Sequence, residues 1–256
     1  VSEKPQIVIA TPVYGTPHTA SVSVGYHMTV CSLLRDPVFT ALPAVHMCDL
    51  VRGRSRLVRQ FLEETPGTHL LFWDEDVVCP GGAEQAGRLI ARMVETGHPF
   101  IGCTYRKKVV NVDAVRALDD APGSQRDSDM LQHLEEYAYR ATKQAECING
   151  CVEVDAIPLG FALAQRGMLE HMTRAYNGGP HGLAFDDEVG DEKKQTLALF
   201  QLMIRDGGLL GEDYSFCQRY RDIGGKVQLW AGPDCELDHV GSYVFKGSRG
   251  GYVHAK

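Results

Sequence analysis

The chain has 256 residues, a formal net charge of −7, 44% hydrophobic and 23% charged residues. Those proportions suit a folded protein with its own core and exclude a disordered or low-complexity chain. The acidic balance gives no support to a nucleic-acid or anionic-membrane partner, and no apolar run approaches the ~20 residues of a membrane span.

Gln6 to Ala10 is a short apolar run stopped by Thr11-Pro12, the pattern of a buried strand. Leu57, Val58, Phe61 and Leu62 recur at helical spacing and predict a helix from about Arg54 to Glu64, ended by Pro66-Gly67. His69 to Trp73 is a second buried strand that runs into Asp74-Glu75-Asp76. Ala83, Ala86, Leu89, Ile90 and Met93 mark a second helix, and Pro99 to Thr104 a third strand. This alternation over residues 6 to 105 predicts a parallel, doubly wound sheet.

The pattern then changes. Asn111 to Glu146 is polar and reads as an insertion with a partly exposed helix near Met130 to Lys143. Val152 to Ile157 and Phe161 to Ala164 resume strand character, while Asn177 to Lys194 reads as a polar loop. Thr196 to Ile204 is a strand candidate, Glu212 to Ile223 a helix and Lys226 to Trp230 a last strand. We expect one α/β domain over residues 1–256. A nucleotide-binding half spans 6–105, an insertion 106–150, and a mixed, partly antiparallel half with a C-terminal lid 151–256. The eight scattered cysteines contain no Cys-x-x-Cys and read as free thiols in a reducing cytoplasm.

Four clusters carry chemistry. Asp74-Glu75-Asp76 sets carboxylates directly after a hydrophobic strand, where mutual repulsion favours a neutralising cation. Hard oxygen ligands at the carboxyl end of such a strand suit Mn²⁺ or Mg²⁺, and the alternative is an acidic turn. Arg54 heads the apolar stripe of Leu57, Val58 and Phe61, whereas Arg52, Arg56 and Arg59 fall on the opposite, solvated face. A buried guanidinium needs an anion: either a ligand phosphate or an internal partner such as Asp74 or Asp76. Glu212 and Asp213 open a helix, where they cap it and favour its dipole or serve as a general base. His239 and Lys246 follow the last strand, among glycines and serines able to close over a site.

The ordered set Thr11-Pro-Val-Tyr-Gly15, Gly53-Arg-Ser-Arg56, Leu70-Leu-Phe-Trp-Asp-Glu-Asp76, Gly160-Phe161, Gly211-Glu-Asp213 and Asp238-His-Val-Gly241 resembles the GT-A superfamily of glycosyltransferases. It is similar in particular to small bacterial and phage enzymes loosely related to the family 2 type. The resemblance covers roughly residues 6 to 247 and implies a Rossmann-like nucleotide-binding sheet. It also implies a metal-dependent transfer of a sugar from a nucleotide-diphosphate donor, UDP by default, to a hydroxyl acceptor.

Residue roles follow from the same resemblance. Thr11, Pro12 and Tyr14 would cradle the nucleobase, Arg54 would contact the donor's ribose or diphosphate, and Lys246 would grip the diphosphate. Asp74 and Asp76 form the Asp-x-Asp pair, with Asp76 the more direct metal ligand and His239 joining it. Gly160 and Phe161 would line the sugar and acceptor side. Asp213 would act as base with Glu212 as supporting neighbour, inversion being preferred to retention. Ser55 departs from the family's usual asparagine, and 111–146 has no family counterpart. The acceptor stays open, a modified DNA base included, as do the donor sugar and the oligomeric state. A nucleotidyltransferase would carry basic residues in a Gly-rich loop after the first strand, which Thr11 to Gly15 lacks. A non-catalytic sugar-nucleotide-binding protein would keep the metal site and need no base.

Overall fold

Ile7–Ala10 (β1) is buried at every position, as expected of a strand inside a sheet covered on both faces. The structure, a computed structural model, describes residues 4–14, 22–43, 45–47, 49–110, 135–142, 145–177, 182–189, 192–241 and 244–245. After β1 come α1 (Val24–Leu33), β2 (Phe39–Ala41), α2 (Leu50–Glu64), β3 (His69–Trp73), α3 (Gly82–Glu95) and β4 (Phe100–Gly102). Then follow β5 (Arg140–Ala141), β6 (Cys147–Ile148), β7 (Cys151–Ala156), β8 (Phe161–Gln165), α4 (Arg166–Tyr176), α5 (Glu212–Asp222) and β9 (Val227–Trp230).

These strands form one mixed sheet in the order β5-β7-β9-β4-β8-β3-β1-β2, with β6 hairpinned onto β7. The pairs β1–β2, β1–β3 and β4–β9 are parallel. Strand β8 runs antiparallel between β3 and β4. The main-sheet strands of residues 6 to 105 therefore all run in one direction, as expected, and the antiparallel member comes from the second half, where a mixed arrangement was expected. The central place of β8 has a physical reason: Phe161, Ala162, Leu163 and Ala164 are all buried, so β8 needs cover on both faces.

Side chains alternate between two cores. Val8, Ala10, Leu70 and Phe72 pack under α2, α4 and α5, while Ile7, Ile9, Leu71 and Trp73 pack under α1 and α3. Helix α2 begins four residues earlier than its apolar stripe suggests. Asp49 caps it, its carboxylate accepting from the backbone N–H groups of Val51 and Arg52. Among the described residues no helix is long and apolar enough to cross a membrane.

Four local expectations are corrected. The helix near Met130 to Lys143 is absent from its described part: Glu135–Tyr137 pairs with Arg106–Val110, and β5 joins the main sheet. Tertiary pairing overrides helix propensity there, with the Arg106 guanidinium 5.1 Å from the Tyr137 ring centre. The polar loop contains a hairpin, Ala184–Val189 against Glu192–Leu197, pinned to α2 by Arg56 on buried Asp187 at 2.7 and 2.6 Å. The strand expected over Thr196 to Ile204 is two strands, one ending at Leu197 and one at Met203–Arg205. Finally, Arg59 is not on a solvated face: it is 6% exposed, and Arg56 is half of the Asp187 pair.

Candidate functional site

Strands β1 and β3 run side by side, so their carboxyl ends place Thr11 next to Asp74-Glu75-Asp76. The Thr11 hydroxyl is hydrogen-bonded to the Tyr26 hydroxyl of α1, and the Tyr26 ring packs edge-on against Trp73. Pro12 is buried beside it. The side chain of Tyr14 and all of Lys246 lie outside the described residues, as do most of the residues expected to form a lid.

Arg54 rises from α2 beneath this rim and is 2% exposed. Its Nη2 donates to both carboxylate oxygens of Asp74 at 2.9 Å. The expected internal partner is therefore Asp74. The Nε and Nη1 of Arg54 are nonetheless buried with no hydrogen-bond partner among the described residues. Burial raises the Asp74 pKa, Arg54 pulls it back, and Asp76 and Glu212 push it up again, for a net rise. Removing the arginine strands that carboxylate. Arg54→Ala should cost about 3–5 kcal/mol, whereas Arg54→Lys should keep most of the stability. Equal melting temperatures for wild type and Arg54→Ala would show that the pair contributes nothing to folding.

Asp76 has different partners from Asp74. Its Oδ2 accepts a short hydrogen bond from Lys108 Nζ and lies 3.6 Å from His239 Nε2. The Asp238–Val240 strand pairs with Val77–Val78, and Val240 N–H donates to the Asp76 carbonyl at 2.7 Å, which locks His239 over the acidic turn. His239 Nδ1 donates to the Arg106 carbonyl at 2.8 Å. That bond fixes the ring and turns Nε2 toward the Asp76 carboxylate. Burial pushes the Asp76 carboxyl up, but the His239 ring and the Lys108 ammonium together hold it below its ordinary value.

Asp76 and His239 therefore offer an oxygen and a nitrogen to one point, a donor set that fits Mn²⁺ or Mg²⁺. Asp74 is directed at Arg54, which takes one acceptor site on each of its oxygens. Among the described residues no three His, Cys, Asp or Glu side chains form a metal-holding group. A cation held here would complete its shell from ligand and water.

The third element is the start of α5. Its N-cap is Gly211, so neither Glu212 nor Asp213 occupies the capping position. Asp213 Oδ1 instead accepts from the Tyr214 N–H at 2.7 Å. Burial raises the Asp213 carboxyl to about 6; Glu212 adds to the rise, while Arg54 and the Tyr214 N–H oppose it. The same arginine thus lies within the field of Asp74, Glu212 and Asp213. No family model matches the chain, and no curated protein matches it. Among solved structures, the crystal structure of A197 from STIV is similar, with a TM-score of 0.51 at 15% identity, covering 95% of this chain and 94% of that one. The likeness shows a shared fold over nearly the whole of both chains.

Gly160 and Phe161 separate in role. Gly160 N–H donates to the Tyr105 hydroxyl at 3.1 Å, and a Cβ on Gly160 would fall 2.2 Å from that oxygen. Phe161, expected on the acceptor side, is fully buried and packs against Trp73 with ring centres 4.8 Å apart. It is a core residue, because it sits on the β8 face turned to α1 and α3. Gly160→Ala should displace the buried Tyr105 ring and lower stability by about 1–3 kcal/mol. An unchanged denaturant midpoint would show that the ring moves freely.

Tyr105, Arg106 and Lys108 were not singled out in the sequence, yet Tyr105 packs edge-on against His239 at 4.7 Å and Lys108 reaches Asp76. The available signal was Arg106-Lys107-Lys108 shortly after a buried strand, a run of charge at the same end of the sheet as the aspartates.

Proposed function

We propose that the chain is a metal-dependent glycosyltransferase of GT-A type, moving a sugar from a nucleoside-diphosphate donor to a hydroxyl acceptor. The observation that carries this reading is the convergence, at the carboxyl ends of the central strands, of three functions. Asp76 with His239 suits a divalent cation, Arg54 has unspent donors, and Asp213 is a carboxylate whose proton affinity is raised toward neutrality.

When bound, the cation supplies Lewis-acid stabilisation to the departing diphosphate. Asp76 and His239 hold it in place. Arg54, kept charged by Asp74, adds positive field where the leaving group becomes more negative. Asp74 positions Arg54 and does not itself ligate. Lys108 balances Asp76 until a ligand arrives. Asp213 accepts the acceptor's hydroxyl proton, a role for which a pKa near the working pH is favourable. The Tyr105–Gly160 contact keeps the floor of the site rigid.

The experiment is transfer or hydrolysis of radiolabelled UDP-sugars with Mn²⁺, run beside Asp213→Asn. Metal-dependent release of UDP that is lost in the variant supports the reading. Nucleotide binding without any turnover, across a panel of donors and acceptors, would instead make the chain a sugar-nucleotide-binding protein.

A further inference from the structure

A second pocket lies away from this site, between α2, α4 and the Ala184–Val189/Glu192–Leu197 hairpin. Its volume is about 270 Å³. Val58, Leu62, Leu197 and Leu199 supply apolar wall, and Ser55, Arg59 and Thr196 supply polar lining. Those three polar residues are 1%, 6% and 1% exposed. The Ser55 hydroxyl, the Thr196 hydroxyl and the Nε and Nη2 of Arg59 have no hydrogen-bond partner among the described residues. Buried polar atoms carry the full cost of lost hydration unless something pairs with them, and such orphans are rare in native proteins. Here they surround one cavity.

The chemistry of an occupant follows from charge and size. The unpaired edge of Arg59 is the Nε–Nη2 side, the same edge that Arg56 uses on Asp187. Its Nη1 is already 2.9 Å from Glu63 and 3.6 Å from Glu64. Glu64 in turn faces Lys194 at 3.9 Å, so the two cations and two carboxylates balance and no charge is left over for an anion. What is missing is acceptor oxygens for the arginine edge and hydroxyl partners for Ser55 and Thr196. The volume is just below the ~300–1,000 Å³ of pockets for drug-sized ligands, which leaves room for about one sugar ring.

We propose that this pocket binds a small, neutral, polyhydroxylated ligand, of monosaccharide size, against α2. The proposal is independent of the transferase reading, because it uses none of Asp74, Asp76, Asp213 or His239.

Titration calorimetry and saturation-transfer NMR on the full chain test it. The probes are glucose, galactose and N-acetylglucosamine, with glucuronate as the charged counterpart. At least one neutral sugar should bind, and glucuronate more weakly. Thr196→Val is isosteric and removes only the hydroxyl, and Ser55→Ala is a second small change. Each should weaken sugar binding roughly tenfold while leaving the melting temperature unchanged or higher, because each deletes an unpaired buried hydroxyl. No binding by any neutral sugar would overturn the proposal, and water would then be the occupant. Binding unaffected by Thr196→Val but lost in Asp76→Asn would also overturn it, since the sugar would then sit in the metal site. Tighter binding of glucuronate than of its neutral counterparts would overturn the neutral ligand class.

Discussion

Asp213→Asn should abolish transfer while making the protein more stable at neutral pH. The Asp213 carboxyl titrates near 6 in the folded chain, against an ordinary value of 3.8. The folded state therefore holds a proton that the unfolded state has already lost between those two pH values. The sign follows: the stability this group contributes is fully present below pH 4 and is lost as pH rises through about 6. By pH 7.5 that loss amounts to about 1–3 kcal/mol. Asn carries no charge to desolvate, so the variant should melt higher than wild type at pH 7.5 and close to it at pH 4. Turnover should fall by roughly 10²- to 10⁴-fold, the usual worth of a positioned base, with donor affinity intact. The wild-type rate should rise with pH through an apparent pKa near 6. A residue kept only to favour the helix dipole gives another pattern: Asp213→Asn would lose stability at neutral pH and leave the rate unchanged.

Asp76→Asn should remove the metal dependence of nucleotide binding. Asp76 is the carboxylate that faces His239, whereas Asp74 faces Arg54. The two aspartates of the Asp-x-Asp pair should therefore separate in experiment. Asp76→Asn should weaken Mn²⁺-dependent UDP affinity by about 10–100-fold or more with a modest change in melting temperature. Asp74→Asn should chiefly lower stability, because it leaves Arg54 buried and without its ion pair. His239→Ala should follow Asp76→Asn. Isothermal titration of UDP with and without Mn²⁺ reads the first effect, and thermal melts read the second. Equal loss of metal-dependent affinity in both aspartate variants, with neither melting lower, would show that both ligate directly and that the Arg54 contact is incidental.

The sequence alone determined the elements with a strong period. The buried strands His69–Trp73 and Ile7–Ala10 and the helices over Leu50–Glu64, Gly82–Glu95 and Glu212–Asp222 were legible to within a few residues. Alternation and the i, i+3, i+4, i+7 stripe are set by local chain geometry. The stripe also showed that Arg54 is buried, and the strand end showed where the aspartates stand.

Tertiary structure alone decided the rest. It placed β8 between β3 and β4, folded Glu135–Tyr137 onto Arg106–Val110, and turned a polar stretch into a hairpin by pairing Arg56 with Asp187 131 positions away. It also assigned Arg54 to Asp74, Lys108 and His239 to Asp76, and Phe161 to the core. Each of these depends on which residues meet across long loops. That choice is made by burial and charge pairing between distant segments, and no local period encodes it.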